Sequence, residues 1–93
     1  MKINKEQMLK AIESFQHYHY AYIEKGDWRK GQFLWNLLSN WFPTIVEPLR
    51  GANNLCDPYY LDERIPAFME AICDKEALQT WYSNEFVIKN FTT

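Results

Sequence analysis

Residues 27–41, DWRKGQFLWNLLSNW, decide how this chain folds. No charged residue occurs between Gly31 and Val46. At about 100° per residue, Phe33, Leu34, Leu37, Leu38 and Trp41 share one broad apolar face of a helix. Trp28 and Trp35, seven apart, widen that face to the side. Gly31 lies beside them, where a missing side chain lets another helix come close. Only a narrow polar strip is left: Arg29, Gln32, Asn36, Ser39 and Asn40. A helix apolar around most of its circumference is packed on several sides, which makes this one central.

Upstream, Asn4 and Gln7 have capping-box spacing, so a first helix is expected from there to about Lys25. Met8, Ile12, Phe15, His19 and Tyr22 form its apolar stripe. Gly26 is expected to close it in the left-handed region and Asp27 to cap the central helix, leaving almost no connection. So short a link makes the two helices close neighbours.

Downstream, Phe42-Pro43 ends the central helix, because a residue before proline is pushed out of the α region. Thr44 and Glu47 open a short piece that reaches Arg50 and closes at Gly51, with Pro48 holding it to a single 3₁₀-like turn. Residues 51–58 form a loop. Asp57-Pro58 caps a further turn through Tyr59, Tyr60 and Leu61. A helix follows from Asp62 to about Cys73, burying Ile65, Phe68, Met69 and Ile72. Asp74 caps another from Lys75 to Ser83, burying Ala77, Leu78, Trp81 and Tyr82. Asn84 ends it, and the tail at about 85–93 has the composition of an extended segment. The expected fold is all-α: one domain over residues 1–93, about four helices with one or two short helical turns. Phe15, Phe33, Leu37, Leu38, Trp41, Phe68 and Ile72 are expected together in its core.

Composition bounds the function. The 93 residues suffice for one domain. Hydrophobic residues at 47% and charged residues at 24% are globular values. Aromatic residues reach 17%, more than a small core needs, which points to a binding face. A net charge of −2 gives no global attraction to nucleic acid or to an anionic membrane. The charge is uneven: residues 1–41 carry six Lys or Arg against four Asp or Glu, and residues 42–93 carry four against eight. Cys56 and Cys73 have no metal-ligand spacing, and no secretion signal is evident, so free thiols in a cytoplasmic protein are expected. No apolar run is long enough to span a bilayer.

The residues that could carry chemistry are few. His17 and His19 point about 200° apart on a helix, so one metal ion cannot take both. His19 is expected half-buried against a core polar group, and His17 beside Glu13 at the surface. Tyr18, Tyr20 and Tyr22 lack interleaved Lys or Arg, which disfavours a base-stacking platform. They are expected to pack inward with one exposed. Asp57, Asp62 and Glu63 could do acid–base work, but no nucleophile or second catalytic group stands beside them. Three glycines make no phosphate loop. No catalytic residue, cofactor or metal ligand is assigned. The polar strip is the more informative feature. Arg29, Gln32 and Asn36 must find partners, and Asp57 and Asp62 are the acids within reach, so Arg29 is expected to pair with one of them. The strip then either holds the 57–62 segment to the central helix or floors a partner site. Tyr20, Trp28, Trp35, Tyr59 and Tyr60 are the candidate exposed aromatic contacts around it.

Three stretches, Trp28-Arg29-x-Gly31-Gln32-x-x-x-Asn36-x-Leu38, Pro43 with Leu49-Arg50-Gly51, and Asp57-Pro58-Tyr59-Tyr60 leading to Arg64-Ile65-Pro66-Ala67-Phe68, resemble a loose group of short proteins of bacteriophages, prophages and mobile elements. The resemblance covers about residues 28–72. It implies a mobile-element origin and the cytoplasm of a bacterial host. It brings no activity, so no functional residue is carried over. The expectation is therefore a non-enzymatic protein that binds a host protein and modulates or inhibits it. The alternative is a small helical nucleic-acid-binding regulator using Lys2, Lys5, Lys10, Lys25, Arg29 and Lys30.

Overall fold

Asn4 caps the first helix as its spacing predicts. In the computed structural model, which describes residues 1–92, its Oδ1 accepts from the Gln7 N–H, and the Gln7 side chain accepts from the Asn4 N–H, both at 2.9 Å. Helix α1 (Lys5–His19) buries Met8, Ala11, Ile12, Phe15 and His19. The winding then loosens into a π-helical turn over Tyr20–Glu24 instead of running as α-helix to Lys25. Residues five apart lie about 140° from each other on an α-helix. The wider turn brings Glu24 within 3.5 Å of the His19 Nδ1. Gly26 follows, and it is not in the left-handed region; the positive φ belongs to Gly51, at 139°. What requires glycine at 26 is space, because a Cβ there would lie 2.7 Å from the Tyr22 carbonyl oxygen.

Helix α2 (Lys30–Trp41) is the central one, burying Gly31, Phe33, Leu34, Trp35 and Leu38. It starts later than expected. Arg29, not Asp27, is the N-cap residue, and the carboxylate that serves the first turn comes from Asp62, which accepts from the Gly31 N–H at 2.9 Å. Leu37 and Trp41 are half-buried at the edge of the core, so Leu38, not Leu37, fills its centre.

Pro43 is the first residue of α3 (Pro43–Val46), where its missing N–H is not needed. Thr44 therefore lies inside this turn and caps nothing. A 3₁₀ turn over Glu47–Leu49 accommodates Pro48. After the loop, a 3₁₀ turn at Asp62–Arg64 leads into α4 (Ile65–Ile72), and Ile65, Phe68, Met69 and Ile72 are all buried. Asp74 caps α5 (Lys75–Ser83) by accepting from the Ala77 N–H. Ala77 and Trp81 are buried, whereas Tyr82 is exposed.

The tail corrects an expectation. Glu85–Phe91 is helix α6, not an extended segment, and Thr93 lies outside the described residues. Asn84 ends α5 and also caps α6, accepting from the Val87 N–H. Val87 and Phe91, four apart, face inward. Phe91 lies within 6.3 Å, ring centre to ring centre, of Phe15, Phe33, Trp81, Phe86 and His19.

The described residues thus form an all-α domain. Phe15 is its hub, in ring contact with Phe33, Trp41, Trp81 and Phe91. Ile3 is fully buried, and its main chain bonds the Ile72 carbonyl and the Asp74 N–H, which ties the segment before α1 to the α4–α5 junction. The radius of gyration, 12.0 Å, matches the roughly 12 Å expected of one folded unit this long. Among the described residues no helix is long and apolar enough to cross a membrane.

Candidate binding site

Gly31 does meet a close neighbour, but it is the loop and not another helix. A Cβ at position 31 would lie 2.1 Å from the Pro58 carbonyl oxygen, so only glycine lets residues 57–60 lie directly on α2. That approach creates a seam between the polar strip of α2 and the loop.

Arg29 and Gln32 of the strip find partners, though not the expected ones. Arg29 does not pair with Asp57 or Asp62; its Nη2 donates to the Tyr59 carbonyl at 2.9 Å. The Gln32 oxygen accepts from the Arg29 N–H at 3.3 Å, and its amide donates to the Tyr59 hydroxyl at 3.4 Å. Both acids are held by backbone. Asp57, only 5% exposed, accepts from the Gly51 N–H at 2.7 Å and the Tyr59 N–H at 2.9 Å. Asp62 takes the otherwise unpaired N–H at the start of α2, where the helix end is partly positive. Arg64 pins the far side of the loop through the Ala52 and Asn54 carbonyls. The loop is therefore fastened at Gly51, Ala52, Asn54, Tyr59 and Asp62. Its surface is pre-shaped.

Beside the seam runs a groove of about 490 Å³ whose lining includes Trp35, Asn36, Ser39, Arg50, Tyr59 and Tyr60. The Arg50 guanidinium lies 5.4 Å from the Trp35 ring centre and makes a two-point bond to Glu47, at 2.7 and 2.9 Å. That hydrogen bond holds the Glu47 carboxyl below, and the Arg50 guanidinium above, their ordinary ranges. Arg50 and Arg64 were not read as site residues from the sequence, and Ser39 was read only as part of the polar strip. The Glu47–Arg50 spacing of three was the available signal for Arg50; nothing local marks Arg64.

Aromatic side chains continue the seam along the surface. Tyr22 stacks on Trp28 with ring centres 4.4 Å apart, and Tyr18 lies 5.9 Å beyond Tyr22. Arg29, next in the chain, sits 5.9 Å over the Tyr60 ring, which meets Tyr59 edge-on at 4.9 Å. Tyr60 is 64% exposed. Of the aromatic contacts read in the sequence, Tyr20 and Tyr60 are exposed, Trp28 and Tyr59 half-buried. Trp35 is fully buried against Phe68, because it faces the core side of α2. Tyr18, Tyr20 and Tyr22 all reach the surface instead of one alone.

His19 and His17 separate as their spacing requires. His19 is buried among Phe33, Phe86 and Phe91, and its polar partner is the exposed Glu24 and not a core group. His17 is exposed and meets the Tyr18 ring edge-on. Among the described residues no three His, Cys, Asp or Glu side chains gather closely enough to hold a metal ion. Both cysteines are free thiols. Comparison of the chain with protein-family models, with curated proteins and with solved structures finds no match.

Proposed function

We propose that this domain works by binding another protein, without catalysing a reaction, and that the seam between α2 and residues 57–60 is the face it uses. The observation that carries the proposal is the surface run of Tyr18, Tyr22, the half-buried Trp28, Arg29 and Tyr60. Tyrosine, tryptophan and arginine are enriched among the residues that carry most of the energy at protein interfaces; the two aromatic side chains cover a large area with few rotatable bonds, and arginine adds a planar fork of donors. A loop fastened at five points adds to this, because little ordering entropy remains to be lost on binding. The resemblance of residues 28–72 to short phage and mobile-element proteins favours a host protein as the partner and the bacterial cytoplasm as the setting.

The nucleic-acid alternative has less support. Lys2, Lys10 and Lys30 line three different clefts, so the basic residues of the first half form no single track. Immobilised wild-type protein and an Arg29→Ala/Tyr60→Ala variant, exposed to the same bacterial lysate, test the proposal. The wild type should retain a discrete protein that the variant retains at least about tenfold less. Equal retention by both removes the seam as the working face. A mobility shift with nucleic acid that weakens steeply with salt would install the alternative.

A further inference from the structure

Glu24 reaches His19 only because the helix widens between them. On an α-helix residues five apart diverge by about 140°, whereas the π-helical turn over Tyr20–Glu24 brings the Glu24 carboxylate to 3.5 Å from the His19 Nδ1. The contact therefore requires the turn, and whatever strengthens the contact stabilises the turn. Tyr22 lies in the middle of it. From there its ring stacks on Trp28 at 4.4 Å, and its carbonyl accepts from the Trp28 N–H at 3.1 Å. A histidine at the edge of the core is thus joined to the aromatic run on the surface.

The surroundings of His19 set how it responds to a proton. Its side chain is 11% exposed, edge-on to Phe33 of α2 and to Phe86 and Phe91 of α6. Burial against those rings opposes a charge. The charged groups lining its cleft are Glu24, at the end of its own helix, and Glu85 and Lys89 of α6. Two carboxylates against one ammonium leave one negative charge in excess, which an imidazolium balances. Glu24 is itself 58% exposed, so the pair forms at the water-facing edge of the core. At 3.5 Å the contact is longer than the roughly 2.7–2.9 Å of a charge-assisted bond, which leaves it room to tighten.

We propose that His19 and Glu24 form a proton-operated clip on the binding face. Uptake of a proton by His19 draws Glu24 in, holds the π-helical turn and keeps Tyr22 set on Trp28; loss of the proton loosens both. This rests on the Tyr22–Trp28 stretch belonging to the face that binds the partner. The proton favours the closed turn, so by linkage the closed turn, and partner binding with it, gains as pH falls.

NMR of the full chain, with histidine rings and tryptophan indoles labelled, tests the clip between about pH 5 and 8, the range in which histidine changes charge. The Trp28 Nε1–H signal should move with the same midpoint as the His19 ring signal. In Glu24→Gln, a change at an exposed position, the movement should shrink at least about twofold. In His17→Gln, which removes the neighbouring exposed histidine, it should persist. A Trp28 signal that stays in place, follows His17, or moves as far without the Glu24 carboxylate would overturn the inference. Capture from bacterial lysate should be at least about twofold greater at the acid end of the range than at the alkaline end, and equal at the two ends for Glu24→Gln. The same pH response in both proteins would also overturn it. If Trp28 ignores His19 while capture still depends on Arg29 and Tyr60, only this inference falls. If Trp28 follows His19 but capture is indifferent to those two residues, the clip stands and the binding face is wrong.

Discussion

A methyl group at position 31 would need the space taken by the Pro58 carbonyl, with 2.1 Å where a carbon needs more than 3 Å. Backbone cannot swing aside as a long side chain does, so Gly31→Ala should destabilise by about 1–3 kcal/mol or more, read by urea denaturation. A variant as stable as wild type would mean that the loop does not rest on α2. Cys73 supplies a second test at this scale. Burial, and after it the neighbouring Asp74, pushes its thiol up to about 12, while Lys2 pulls it down. The unfolded chain releases that proton from its ordinary 9.0 upward, and the folded chain keeps it. The stability this proton brings is complete below pH 9.0 and is lost as pH rises from there through about 12. The advantage of wild type over Cys73→Ala should therefore shrink by up to about 1.4 kcal/mol per pH unit across that interval. A constant difference would show the thiol titrating as though exposed.

At the scale of elements, what was legible in the sequence followed from apolar spacing and caps. Met8, Ile12 and Phe15 on α1, Phe33, Leu34 and Leu38 on α2, and Ile65, Phe68, Met69 and Ile72 on α4 all face inward as their periodicity requires. Three features were not legible, each because a distant contact overrode a local preference. The π-helical turn depends on Gly26 tucking under the Tyr22 carbonyl and on Tyr22 meeting Trp28. The start of α2 depends on Asp62, thirty-one residues away. Helix α6 has strand-forming residues in Phe86, Val87 and Ile88, but the space among Phe15, Phe33 and Trp81 is filled by Phe91 only if the segment is helical. The missed signal was Asn84 three residues before Val87, with Phe91 four beyond it. Phe91→Ala should cost about 3–5 kcal/mol, as for a buried ring, whereas an extended surface tail would lose almost nothing. Thermal unfolding of the variant separates the two.

At the scale of the whole molecule, one core fixes the helices and one seam carries the groups left over. The sequence singled out Arg29, Gln32, Asn36, Asp57 and Asp62 because they are polar on or near an apolar helix. It could not assign their partners, since facing order across a loop depends on backbone geometry that no local pattern encodes. Its expected Arg29–acid pair therefore gave way to an arginine on a carbonyl and acids on amides. That exchange matters for function, because it leaves Arg29 in no direct ion pair, on a neutral carbonyl beside the exposed Tyr60. The most direct measurement of this account places one photo-crosslinking side chain at either of two exposed positions, Tyr60 on the seam or Leu9 on α1, in protein expressed in bacterial cells. The account predicts discrete protein adducts from position 60 and none from position 9. Adducts from position 9 alone, or from neither position, would contradict it.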